Sequence, residues 1–499
     1  MAQKPNYPFI NPSGRPLIEI LSDPMRSYSP LDLDILESEV PFSRMSTSVD
    51  FSGKQFRFSR NIGLHLPIVT APMPDVTDSH IATVAARYGC LGIIPATYSA
   101  EEQAEAVRQV KKTEGGFIDH PDVLDPKSPI QDALNQRYSN IPVVSDGKLV
   151  GIFIQQLYGD YYYRGRESHP ISDVMEKDLE KITVSPSSIT QNGELSFRKA
   201  QQIMEARQIP ALAIVDKEMR LLHLVTMKDV VYREKTYPNA TRDSKSRLAV
   251  GAAVLQYMTD ENKQRILLLA EAGVDVIVIE QAQAWNADVK EMTRYIKKNY
   301  PDIDVVPGND SVPNAVAFHN ANGADGVKIG QGPGSECTSG QVVGLWRPQL
   351  SAVFDCAEVA RRCGIPCTAD GGIKNAYDIF KLIMVGATTA MLGRLVAETK
   401  DSPAKEEESG KKLYRAMGSP ELVKAHSSAF RKYDPRTFVA EGKSELLPIT
   451  TTFEELLKGL KSQLIRVFER FGASDAQNAR DRFLSGEYRA QYAHRYGTR

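Results

Sequence analysis

Between positions 66 and 392, short apolar runs alternate with longer stretches whose apolar residues recur every three or four positions. Short runs bounded by turn residues read as buried strands, and the longer period reads as helices with one apolar face. The pattern predicts strands at 66–70, 91–94, 248–252, 274–279, 304–306, 326–329, 366–369 and 389–392. Helices are predicted around Ile81, Val84 and Ala85, and over 100–112, 261–272 and 287–299. Parallel strands joined by helices close into a (β/α)8 barrel or spread into a doubly wound open sheet, and periodicity alone leaves both open. The alternation breaks at about 118–236, where a weak repeat appears. Ile141-Pro142-Val143-Val144 before Asp146-Gly147 is echoed by Ile209-Pro210-Ala211-Leu212 before Asp216. Each is followed by an apolar run, at 151–154 and 221–225.

This divides the chain into 1–117, an inserted module at 118–236, and 237–499. Residues 1–60, rich in Pro and Ser, read as an extended arm leading into the first part of the barrel. Residues 400–412 are charged and contain Gly, Ser and Pro, the composition of a loose connection. Leu456, Leu457, Leu460, Leu464, Val467 and Phe468 share a helical stripe, so 453–471 is predicted to be a packed helix.

Charge removes several function classes. Lys plus Arg number 61 against 62 Asp plus Glu, so no general attraction to nucleic acid or an anionic membrane is expected. The five cysteines (Cys90, Cys337, Cys356, Cys363, Cys367) have no paired metal spacing, which points to a reducing compartment. There is no apolar run of about 18 residues and no signal-peptide core. The expectation is a cytoplasmic protein without a membrane span.

The richest chemistry lies after the sixth predicted strand, in Gly330-Gln331-Gly332-Pro333-Gly334-Ser335-Glu336-Cys337-Thr338-Ser339-Gly340. Glycine lets backbone amides approach an anion closely, and Ser335 adds a hydroxyl. Cys337 is a candidate nucleophile, because a thiol has a reference pKa near 8.5 that amide dipoles or a cation can lower. The plain alternative is a tight turn beside a small buried cysteine. In a barrel, loops after strands seven and eight commonly hold phosphate, and Asp370-Gly371-Gly372 and Gly393-Arg394 occupy those places. Asp370, an acceptor when ionised, suits ribose hydroxyls.

These motifs resemble the IMP dehydrogenase and GMP reductase superfamily. Val327-Lys328-Ile329-Gly330, Gly332-Pro333-Gly334-Ser335 and Cys337-Thr338 look like its active-site loop. In matching order stand Ala71-Pro72-Met73, Pro307-Gly308-Asn309, Asp370-Gly371-Gly372, Met391-Leu392-Gly393, Tyr414 to Ser419, and Glu441-Gly442. The resemblance decides for the barrel. It implies that Cys337 adds to C2 of a bound purine nucleotide, that hydride passes to NAD, and that water releases XMP. Ser339 stands where relatives have Thr and would move a proton. Ala71, Met73, Asn309, Ser335, Asp370, Gly371, Gly372, Gly393, Arg394, Tyr414, Met417, Gly418 and Glu441 are the implied substrate contacts. Glu280, Gly330 and Gly332 would face the cofactor, and the carbonyls of Gly332, Gly334 and Cys337 would hold a monovalent cation such as potassium. The family's moving flap corresponds to 414–442. Its water-activating pair is matched by Tyr433 with Arg431 or Lys432, displaced by one residue. The insertion looks like a tandem CBS (Bateman) module, in which Thr226 and Asp229 fit a ribose-contacting pattern for an adenine or guanine nucleotide. A homotetramer or larger assembly is implied as well.

This sequence departs from the family pattern in places. Glu280 replaces an Asp on the cofactor side, Glu336 adjoins the nucleophile, and Asp75 follows Pro74 out of the usual order. Glu441-Gly442-Lys443 and 348–353 resemble the reductase branch, so NADPH-dependent conversion of GMP to IMP and ammonia is the alternative activity. A non-catalytic nucleotide-binding paralogue is the third reading.

Overall fold

The computed structural model describes residues 56–113, 117–118, 121–136, 138–155, 164–191, 194–227, 236–425 and 439–492. Short pieces at 15–16, 18, 21–22, 33–38, 49, 51 and 53 precede them. The chain divides into two compact units, 1–108 with 250–499, and 109–249. In the first, eight parallel strands close into a barrel. They are β1 (Ile68–Thr70), β2 (Leu91–Ile94), β3 (Gly251–Leu255), β4 (Val276–Glu280), β5 (Asp304–Asp310), β6 (Val327–Ile329), β7 (Cys367–Asp370) and β8 (Thr389–Leu392). Neighbours in sequence pair in order, and β8 returns to β1 with Ala390 opposite Ile68. β2 pairs directly with β3, Gly251 opposite Ile93, although the second unit lies between them in the chain.

The strands are almost wholly buried, which explains why they appear as continuous apolar runs. Two boundaries differ most from expectation: β5 runs on to Asp310, four residues past its expected end, and β3 begins at Gly251, not at Leu248. Leu248 and Ala249 are buried, but they bond to Arg242 and Thr241 instead of to barrel strands.

Helices α1 (Ser79–Arg87), α2 (Ala100–Thr113), α3 (Asp260–Ala272), α4 (Ala287–Asn299), α5 (Pro313–Ala321), α6 (Gln349–Cys363) and α7 (Ala376–Met384) follow successive strands. Their starts are chemically marked. Asp78, Thr259, Asn286 and Asn375 accept from backbone N–H groups of the first turns of α1, α3, α4 and α7. Gln103 of α2 donates to Ile94 O at 3.1 Å and Ala253 O at 2.8 Å, which joins β2 to β3. Its Oε1 accepts from buried Arg265 at 2.7 Å. Helix α8 (Phe453–Arg470) starts at a Thr452/Glu455 capping box and covers α7. Phe380 of α7 thus packs against Phe468 and Phe471, with centroids 4.9 and 5.1 Å away.

The 400–412 segment, expected to be loose, is pinned. Lys412 Nζ donates to the carbonyls of Thr399, Lys400 and Ser402 and to Ser402 Oγ, all within 2.7–2.8 Å. This fixes the start of β9 (Lys411–Arg415), which pairs antiparallel with β10 (Ser444–Pro448). Two pieces of the N-terminal arm, Arg15–Pro16 and Leu33–Ser38, flank Tyr488–Tyr492 in a small sheet.

In the second unit, Asn140–Ser145 and Lys148–Ile154 form a hairpin turning at Asp146-Gly147, both with positive φ. Ala211–Val215 pairs with Leu221–Thr226 and with Thr183–Val184. Leu149, Ile152 and Ile154 of the first repeat share a core with Ala211, Ala213 and Leu224 of the second. Among the described residues no helix is long and apolar enough to cross a membrane.

Candidate functional site

The ends of β4 to β7 converge on one lysine. Lys328, on β6, is 1% exposed, and its ammonium lies 2.7 Å from Asp370 Oδ2 and 2.8 Å from Glu280 Oε1. It also donates to Asn309 Oδ1. Asn309 Nδ2 donates in turn to Asp370 Oδ2 at 2.9 Å and to Gly330 O at 2.6 Å. Burial opposes the Lys328 charge, but Asp370 and Glu280 outweigh it and raise the lysine's pKa. Burial pushes the Glu280 carboxyl up, with Lys328 partly offsetting it and Asp370 adding to it.

The Gly-rich loop is pressed onto the end of β7. Gly330 has φ of +151°, and a Cβ there would fall 2.0 Å from Asp370 O. A Cβ at Gly371 would meet Pro333 at 2.9 Å. The two loops therefore touch backbone to backbone, a closeness that only glycine permits.

Cys337 is half-buried at the end of this loop, next to the chain segment that leads into β10. The two segments form an antiparallel bridge between Cys337 and Gly442, with Thr338 N donating to Glu441 O at 2.8 Å and Lys443 N to Glu336 O at 3.0 Å. The side chains make a relay. The Cys337 thiol donates to Ser339 Oγ at 3.3 Å, and Ser339 Oγ donates to Glu441 Oε2 at 2.8 Å. This leads from a nucleophile through a hydroxyl to an acceptor, the arrangement needed to carry a proton off sulfur.

After β1 and β8, Ala71, Met73, Gly393 and Tyr414 meet. Tyr414 OH donates to Met73 Sδ at 3.7 Å, and a Cβ on Gly393 would lie 2.9 Å from that hydroxyl and 3.9 Å from Ala71 Cβ. Burial raises the Tyr414 phenol's pKa, so it stays a neutral donor. A Cβ on Gly418 would lie 3.2 Å from Glu441 Cβ, and the Gly418 carbonyl accepts from Glu441 N at 3.2 Å. Met417 is half-buried beside it, and Ser335 is exposed on the loop.

Arg394 is placed differently from a free phosphate contact. Its guanidinium donates to Glu445 at 2.7 and 3.1 Å, to Glu398 at 3.0 Å and to Glu336 at 3.1 Å. Glu336 therefore faces Arg394. Its carboxyl is pushed up by burial and then by neighbouring Glu445. Arg431, Lys432, Tyr433 and Asp229 lie outside the described residues, whereas Thr226 ends its strand in the second unit. Among the described residues no cluster of three or more His, Cys, Asp or Glu is placed to hold a metal ion.

Sequence reasoning passed over Lys328, which sits inside a run read only as a buried strand. A lysine flanked by apolar residues on a barrel strand was the available signal. It also missed the partner of Asp75. Arg415 donates to that carboxylate from its backbone N at 3.0 Å and its Nε at 2.9 Å, with its NH2 completing the pair at 2.5 Å. This pair ties the loop after β1 to β9, one residue from Tyr414.

Residues 39–488 match the family model described as "IMP dehydrogenase / GMP reductase domain". The chain is 37% identical over 420 residues to the inosine-5'-monophosphate dehydrogenase of Aquifex aeolicus, covering 81% of this chain and 83% of that protein. It is 37% identical over 421 residues to the Bacillus subtilis protein of that name, with 81% and 83% covered. Among solved structures it resembles a Trypanosoma brucei GMP reductase in complex with guanosine 5'-monophosphate. That match has a TM-score of 0.78 and 29% identity, and covers 96% of this chain and 100% of the other.

Proposed function

The chain belongs to the IMP dehydrogenase / GMP reductase family, and we propose that it oxidises IMP to XMP with NAD through a covalent adduct on Cys337. The observation that carries this reading is the relay from Cys337 through Ser339 to Glu441 at the mouth of a barrel. The thiol loses its proton along the relay, and sulfur bonds to C2 of the hypoxanthine. The C2 hydride leaves, for which NAD, when bound, is the acceptor. Water then displaces sulfur to give XMP and the free thiol. Dividing the substitution at Cys337 makes each half easier than direct attack by water.

On the substrate side, Asp370 accepts from the ribose hydroxyls, the amides of Gly371, Gly372 and Gly393 meet the phosphate with Tyr414, and Met417, Gly418 and Glu441 hold the base edge. On the cofactor side Glu280 fits. Its Oε1 is held by Lys328 at 2.8 Å while the side chain stays 22% exposed, which leaves the carboxylate able to take a ribose hydroxyl. Gly330 and Gly332 keep the neighbouring backbone low. The carbonyls of Gly332, Gly334 and Cys337 suit a monovalent cation, since hard cations take oxygen ligands. The same proposal makes 118–236 a tandem CBS module that binds a purine nucleotide near Thr226, and makes the protein a cytoplasmic homotetramer or larger assembly.

A second reading, GMP reductase, is favoured by the close structural match to the trypanosomal reductase. There the relay would deliver its proton to the departing ammonia, and NADPH would supply hydride. Steady-state assay of IMP with NAD against GMP with NADPH separates the two. Cys337→Ala should abolish turnover and keep nucleotide binding by calorimetry; turnover near wild type would remove Cys337 from the mechanism.

A further inference from the structure

We propose that Lys328 is a positioning residue that couples the nucleotide side of the site to the dinucleotide side, by sharing one ammonium between Asp370 and Glu280. The inference rests on the proposed function for which ligand each acid faces. The observation behind it is independent of that function: three strands, β4, β5 and β7, send polar side chains to one buried nitrogen carried by β6.

The charges explain why the sharing matters. One cation faces two carboxylates, so the cluster is short of positive charge by one. Asp370 is better supplied, because its Oδ2 accepts from both Lys328 and Asn309. Glu280 is held at Oε1 by Lys328 alone, at 2.8 Å, among the described residues. Lys328 is 1% exposed, whereas Glu280 and Asp370 are 22% and 20% exposed, so a ligand can reach either acid but not the lysine between them.

A hydroxyl donor arriving at Asp370 changes the division. It satisfies part of the Asp370 charge, so the ammonium field is drawn more fully to Glu280 and holds that carboxyl ionised, the state in which it accepts a second hydroxyl. Occupation of one side thereby strengthens the other, and thermodynamic linkage makes the effect reciprocal. The same network reaches the catalytic loop, because Asn309 also holds Gly330 O. Lys328 itself touches neither ligand and acts through Glu280, Asp370 and Asn309.

The test uses the full chain with Cys337→Ala, so that no adduct forms. Calorimetry gives the NAD dissociation constant alone and with saturating IMP. We expect IMP to tighten NAD by roughly five- to 150-fold, the usual range of such couplings. Lys328→Met should bring that factor close to one, and Lys328→Arg should restore most of it by retaining the charge. A merely structural lysine would behave otherwise: Lys328→Met would weaken both ligands and leave the factor unchanged, which overturns the proposal. A factor of one with Lys328 present overturns it as well. If NAD gives no heat with or without IMP, the dehydrogenase reading fails, and the same cycle run with GMP and NADPH then decides the role of Lys328 by the same outcomes.

Discussion

Glu441→Gln tests whether the relay moves a proton or only holds Ser339 in place. The change preserves size and leaves an amide oxygen that can still accept from Ser339 Oγ, now 2.8 Å from the carboxylate. If Glu441 only orients the hydroxyl, a charge-assisted hydrogen bond becomes a neutral one. That difference is roughly 1–1.5 kcal/mol, about tenfold in rate. If Glu441 takes the proton that leaves Cys337, the variant loses a general base, typically worth about 10² to 10⁴-fold. We expect the larger loss. The assay is a single-turnover measurement of reduced nicotinamide formation over a range of pH, since adduct formation precedes hydride transfer. Hydroxide can take over the deprotonation as pH rises, so the deficit should shrink in alkaline buffer. A loss of tenfold or less, or a larger one that pH does not repair, would refute proton transfer to Glu441.

Arg415→Met leaves the Asp75 carboxylate, 2% exposed, with only a backbone N–H; breaking a buried pair costs about 3–5 kcal/mol, seen as a lower denaturation midpoint by tryptophan fluorescence. Both tryptophans, Trp285 and Trp346, lie in the barrel unit, and adding Asp75→Asn should recover part of the loss. Lys412→Met strands four oxygen acceptors, so hydrogen exchange across 399–415 should accelerate and the nucleotide KM should rise as β9 loosens beneath Tyr414; unchanged exchange would contradict the pinning role. Burial raises the Glu280 carboxyl in the fold, with Lys328 opposing and Asp370 reinforcing. Its contribution to stability is therefore full below the unfolded value of about 4.3 and is lost as pH rises through the folded one. Glu280→Gln should flatten the decline of Tm with pH across that window, and identical slopes would count against it.

The eight strands were legible because they are buried on both faces, so each appeared as an apolar run that no surface alternation interrupted; their closure into a barrel was implied only by the family resemblance. The β3 boundary was misplaced for the same reason: Leu248 and Ala249 are buried without belonging to the barrel, and apolarity does not reveal a hydrogen-bonding partner. The Gly-rich loop and Cys337 were visible locally. Their link to Glu441 spans 102 residues and became apparent only through family resemblance and then through the bridge to Gly442. Charged residues were the least legible. Arg394 was read from its position beside a glycine, but what it meets is set by Glu336, Glu398 and Glu445, carried on three separate segments. Lys328 went unremarked since its sequence neighbours describe a strand, whereas its role is defined by residues on β4, β5 and β7.

The direct pairing of β2 with β3 has a consequence for how such a chain can change over generations. The long excursion at 109–249 leaves from and returns to hydrogen-bonded neighbours, and Gln103 closes the seam from the barrel's own side. A gene could therefore lengthen, trim, exchange or delete that excursion without breaking one strand pairing of the barrel. The loop after β6 enjoys no such freedom, because it is pressed onto the loop after β7 and its Glu336 meets Arg394 after β8. Innovation in this architecture is thus channelled to one seam, while the chemistry is inherited as a block.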